Sequence, residues 1–112
     1  MSGTAAIEKR GIILRMVKRL VEVFSPHKII LFGSFARGTA TSDSDADLLV
    51  VMPFRGPRRA ARIKIRAALN GSGLAKDIFL IKPKELEQYR DLAGSLVYTA
   101  LQEGRVLYAK TG

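Results

Sequence analysis

The chain has 112 residues, a formal net charge of +9 and 47% apolar residues. That length suits one domain spanning residues 1–112, and that apolar content can fill a core, which excludes a disordered chain. No apolar run approaches the ~20 residues that cross a bilayer, the N-terminus lacks the order of a secretory signal, and the absence of cysteine removes disulfides and thiolate metal sites. A soluble cytoplasmic protein is the simplest expectation. The positive balance favours phosphate-bearing partners (a nucleotide, RNA or DNA) or an acidic protein. A solvated basic surface accounts for the same balance.

Residues 5–24 read as a helix, because Ile13, Met16, Val17, Leu20, Val21 and Phe24 recur at helical spacing with Lys and Arg between them. Ser25-Pro26 ends it, since the residue before proline avoids the helical region. Lys28–Phe32 (KIILF) is a short apolar run, expected as a buried strand broken by Gly33-Ser34. Asp47–Val51 (DLLVV) is a second strand, followed by a Pro/Gly loop. Residues 58–69 form a basic helix with Ala61, Ile65, Ala68 and Leu69 inward, and Asn70–Gly73 is a turn. Asp77–Ile81 is a third strand, Pro83 opens a helix, and residues 92–103 read as a last helix capped by Gly104. Arg105–Ala109 follows as a short edge strand. The fold class expected is α/β, a small mixed sheet covered by helices. The link between the first two strands holds no full crossover helix, which points to an antiparallel pair.

The stretch GSFARGTATSDSDADLLVV, Gly33–Val51, carries the chemistry. In extended chain, residues i and i+2 share a face, so Asp45 and Asp47 project together. Two close carboxylates repel unless a cation lies between them. Oxygen donors favour a hard ion, Mg2+ or Mn2+. Asp43 sits further back in a Ser/Thr-rich loop and reads as a capping or solvated bystander. Asp77 also opens an apolar strand. If that strand neighbours the second, it adds a third carboxylate to a two-metal phosphoryl-transfer site. Gly33 lets backbone approach a bound group. Ser34 offers a hydroxyl and an N–H, Phe35–Arg37 can open a short helix whose amides face an anion, and Arg37 adds a fork suited to phosphate.

This stretch closely resembles the G-S-x-A-R-G…S-D-x-D-L-x-V signature of the minimal nucleotidyltransferases, within the DNA polymerase β-like superfamily. The likeness covers Ile29–Val51, Asp77 and the closing LQEGRVLY. It implies a nucleotidyltransferase fold. It further implies that Gly33 and Ser34 bind the nucleotide triphosphate, with Arg37 as the motif arginine. Asp45 and Asp47 would hold two metal ions, Mg2+ or else Mn2+. Asp77 would hold the catalytic metal and help take the acceptor's proton. Lys76 departs from the pattern where an apolar residue is usual, and is expected to pair with Asp77 in the absence of metal.

The resemblance also implies a function: transfer of AMP from ATP to a hydroxyl, a tyrosine, of a partner HEPN-domain toxin, which the protein neutralises as its antitoxin. The alternative is an antitoxin that works by stoichiometric binding. A third reading, transfer to an aminoglycoside-like small molecule, is opposed by the basic surface. Contact of helix 58–69 with RNA or DNA is allowed but not required, no membrane partner is expected, and the oligomeric state stays open. His27 reads as a loop residue, and Tyr89, Tyr98 and Tyr108 as packing residues.

Overall fold

A computed structural model describes residues 2–111, with side chains from residue 7 onward. Helix α1 spans Ser2–Phe24, β1 Lys28–Phe32, the single turn α2 Ser34–Arg37, and β2 Ala46–Val51. Then come α3 Arg58–Ala68, β3 Lys76–Ile81, α4 Pro83–Tyr89, α5 Leu96–Glu103 and β4 Arg105–Ala109.

The sheet order is β3-β2-β1-β4. β1 lies antiparallel to β2 and to β4, and β2 lies parallel to β3. The expected mixed sheet and antiparallel first pair are therefore present. The parallel pair needs a crossover between its strands, and α3 supplies it.

Strand alternation divides the interior in two. Ile29, Leu31, Leu48, Val50, Ile78 and Leu80 face α1 and α3. α1 meets them with Ile13, Met16, Val17 and Leu20, all buried, as their helical spacing predicts. Burying each such side chain stabilises the fold by about 1.5–3 kcal/mol relative to leaving it exposed. Ile30, Phe32, Leu49 and Val51 face the opposite way, against Leu86 of α4 and Val97 and Ala100 of α5. Phe32 and Phe79 pack ring to ring at 5.5 Å.

Two expectations need correction. The last helix begins at Leu96, not residue 92: Gly94 adopts φ 89°, and the Ser95 side chain accepts the Tyr98 N–H as an N-cap. Leu92 stays exposed. Tyr89 is also exposed at the end of α4, whereas Tyr98 and Tyr108 are half-buried as expected. Gly104 does end α5, but with extended backbone. A Cβ there would lie 2.1 Å from the Ala100 carbonyl oxygen and 2.7 Å from Ile30. His27 is an exposed loop residue whose backbone joins Val51 and Lys110.

At the start of α4, the Glu85 carboxylate accepts the Lys82 backbone N–H at 2.7 Å. Arg58 also donates to both its oxygens, at 2.6 Å each. The Lys82 bond, with Arg58 in support, holds the Glu85 carboxyl below its ordinary value of 4.5, against the opposing effect of burial. This stabilisation is present above that ordinary value and is lost as pH falls through the lower folded value. Glu85→Ala should cost about 1 kcal/mol at neutral pH. Urea denaturation of both proteins should show the difference shrinking as the solution is acidified below the carboxylate range.

Candidate active site

The site lies at one end of the sheet, where β1 stops and β2 and β3 begin. Asp47 pairs with Phe32 across the antiparallel ladder and with Asp77 across the parallel one. Neighbouring strands run about 4.8 Å apart, so two carboxylates stand side by side. Both belong to the face that carries Leu49, Val51, Phe79 and Ile81, the α4–α5 side.

Asp47 is half-buried, while Asp45 and Asp77 are exposed. Burial raises the Asp47 carboxyl above its ordinary value of 3.8, and the nearby charges of Asp77 and Asp45 push the same way. Arg37 opposes them, and a hydrogen bond shared with Asp77 favours the protonated form. The parallel register thus places Asp47 and Asp77 next to each other. Asp45 precedes β2 and acts on the pair through its charge.

Gly33 closes the other side. Its backbone, at φ 73° and ψ −153°, lies in a region essentially reserved for glycine. A Cβ there would fall 2.2 Å from an Asp47 carboxylate oxygen, so the missing side chain is what lets that carboxylate lie against the turn. α2 follows at once. The N–H groups of Ala36 and Arg37 bond to the Gly33 carbonyl at 3.1 and 3.0 Å. The amides of Ser34 and Phe35 have no protein acceptor among the described residues.

Arg37 ends α2 and is held by Glu103, the last residue of α5, at 3.0 Å. Glu103 was not singled out from the sequence. It is separated from Arg37 by most of the chain, and its only local signal is its place at a helix end. Lys9 of α1 was also missed. Its ammonium donates to the carbonyls of Thr41 and Ser42, tying down the loop that leads to Asp45. Within that loop Ser44, not Asp43, makes the capping contact, accepting the Thr41 N–H at 2.8 Å. Asp43 is exposed, as a bystander should be.

Lys76 does not pair with Asp77. It donates to Ser72 Oγ at 3.1 Å and to the Leu74 carbonyl at 3.2 Å. Adjacent strand residues point to opposite faces, so Lys76 turns toward α3 while Asp77 turns toward α5.

Among the described residues, no three acidic or histidine side chains converge as a ready-made metal-ligand set. The Asp47–Asp77 pair nevertheless suits a hard divalent cation: its donors are all carboxylate oxygens, and a cation there would relieve the repulsion that raises Asp47.

The nucleotidyltransferase domain family matches residues 12–107, which include every element from β1 to β3 and all the site residues above except Lys9. The chain belongs to that family. No curated protein sequence matches it. Among solved structures, it resembles a protein from Sulfolobus solfataricus described as a nucleotidyltransferase, with TM-score 0.66 and 16% identity over 96% of this chain and 86% of that one. It also resembles a toxin–antitoxin structure solved with AMP-PNP, with TM-score 0.60 and 19% identity over 88% and 74% of the two chains. A mutant of the toxin–antitoxin MntA-HpeT gives TM-score 0.56 and 22% identity over 87% and 73%. These likenesses establish the nucleotidyltransferase fold.

Gly33→Ala should both strain the backbone and displace Asp47. The expected loss is about 1–3 kcal/mol of stability, read by urea denaturation, together with weaker divalent-dependent binding of a nucleoside triphosphate, read by calorimetry. Unchanged stability and binding would remove Gly33 from the site.

Proposed function

We propose that this nucleotidyltransferase, acting as one minimal domain over residues 1–112, transfers AMP from ATP to a tyrosine hydroxyl of a HEPN-domain toxin, and so serves as its antitoxin in the cytoplasm. The observation that carries the reading is the Asp47–Asp77 pair set against the Gly33-Ser34 turn. Membership of the nucleotidyltransferase family supports the reaction class. The toxin–antitoxin structures that share the fold, one of them solved with AMP-PNP, support the partner and the nucleotide.

The chemistry follows from the site. Gly33 and Ser34 offer close backbone and an amide to the triphosphate, and Arg37, oriented by Glu103, offers a guanidinium to it. Asp45, Asp47 and Asp77 would hold Mg2+, or Mn2+ in its place. When bound, the metal neutralises phosphate charge and acidifies the acceptor hydroxyl. The acceptor oxygen bonds to the α-phosphorus, the bond from that phosphorus to the β-phosphate bridge breaks, and pyrophosphate leaves. Asp77, exposed at the start of β3, receives the hydroxyl proton. Positioning and electrostatics supply most of the catalysis.

A second reading is antitoxin action by binding alone. The exposed position of Asp45, outside the Asp47–Asp77 pair, favours it. One experiment separates the two. The product of the neighbouring gene is co-expressed with this chain and with its D45N/D47N variant, and its intact mass is measured. Transfer predicts added AMP mass with the unaltered chain, and a rate reduced roughly a thousandfold or more in the variant, the effect of losing several kcal/mol of charge stabilisation. A silenced partner with no added mass would replace transfer by stoichiometric binding.

A further inference from the structure

The basic residues of α3 play no part in the site above. No Asp or Glu occurs between Asp47 and Asp77, yet that segment carries Arg55, Arg58, Arg59, Arg62, Lys64, Arg66 and Lys76. Of these, Arg58 is paired with Glu85. Arg59, Arg62 and Arg66 recur at helical spacing along α3 and are exposed. Among the described residues, none of them forms an ion pair, and neither does Lys76.

The C-terminal turn of α3 is flanked by two clefts that share Asn70. One, of about 260 Å³, is lined by Arg66, Asn70 and Lys76. The other, of about 190 Å³, lies between this turn and α1, where Arg15 and Arg19 line it. Arg66 reaches over the edge strand to the Lys76 carbonyl at 3.4 Å, which holds its guanidinium beside the first cleft. The cations therefore form a continuous track, from α1 across Asn70 to the β3 edge and back along α3. Glu8 and Glu22 share the stripe of Arg15 and Arg19 at its two ends, and neither pairs with it among the described residues.

The track has the composition of a phosphate-binding surface. It is dominated by guanidinium groups, on a chain with a sequence pI near 10.4. Ile63 is the one large apolar side chain exposed on α3. An acidic protein partner would call for an apolar core at the interface, and a membrane surface for an apolar stripe on the helix. Among the described residues, the exposed large apolar side chains here are Ile63 of α3 and Val23 of α1, one turn beyond Arg19, which is less than either partner needs; Leu14 of α1 lies with Leu107 on the side of α1 that faces β4. No aromatic side chain lines either cleft, so bases have no stacking platform.

We propose that the α1–α3 face, through Arg15, Arg19, Arg62, Arg66 and Lys76, binds the phosphate backbone of a nucleic acid without sequence preference. This site is separate from the carboxylates, which lie on the other face of the sheet. It does not rest on the nucleotidyl-transfer reading.

The test is fluorescence anisotropy of a labelled mixed-sequence RNA oligonucleotide, without nucleotide or divalent cation, over a series of salt concentrations. About four neutralised phosphates predict a slope of log K against log salt near −3. The R62E/R66E and R15E/R19E variants should each lose roughly tenfold or more in affinity. R105E/K110E changes net charge equally at the two ends of β4 and should lose less than about threefold. Circular dichroism checks that each variant is folded, and either α1 or α3 pair suffices if the other is not. Equal losses in all variants would overturn the proposal, leaving net charge as the sole cause. Displacement of the RNA by poly-glutamate as readily as by unlabelled RNA would also overturn it, in favour of an acidic protein ligand. A failure here leaves the partner-mass experiment unaffected.

Discussion

Two carboxylates placed opposite each other on neighbouring strands repel, and one of them is half-buried. The arrangement is tolerable only because other groups are built around it. Gly33 gives up a side chain so that the Asp47 carboxylate has somewhere to lie. Arg37 supplies the opposing charge, and Glu103 fixes Arg37 from a different helix. Protonation of Asp47 and capture of a cation relieve the same repulsion, which makes the pair a receptive site for a hard ion.

The parallel register of β2 and β3 creates that opposition, and strand alternation then assigns each residue a side. Asp47 and Asp77 fall with the α4–α5 layer. Lys76, one residue away, falls with α1 and α3. The paired carboxylates and the cations of Lys76 and α3 are thus separated by the thickness of one sheet in a very small protein.

Much of this was legible in the residues. KIILF, DLLVV and DIFLI are apolar runs bounded by breakers, and they appear as strands within a residue of the expected limits. The antiparallel β1–β2 pair follows from the short link between them. The start of α5 was hidden because Leu92 and Leu96 continue the apolar spacing through the Gly94 turn, so periodicity alone could not show where the chain bends. The Lys76–Asp77 expectation ignored the alternation that had been applied to Asp45 and Asp47. The Arg37–Glu103 contact had no local signal, since only the docking of α5 against β1 brings the two residues together. The family signature pointed to Gly33, Ser34 and the carboxylates as candidates, but could not say that Asp77, rather than Asp45, is the register partner of Asp47.

The route of the chain also sets an order of assembly. β1 and β2 are close in sequence, so Gly33 and Asp47 can meet through a short loop. Asp77 arrives only after α3 has formed the crossover, and loop closure grows more costly with chain length. β3 is an edge strand held to the sheet by β2 alone. Local opening at that edge would withdraw Asp77 while the three antiparallel strands stayed paired. Of the two paired carboxylates, Asp77 is therefore the later to arrive and the first to be released.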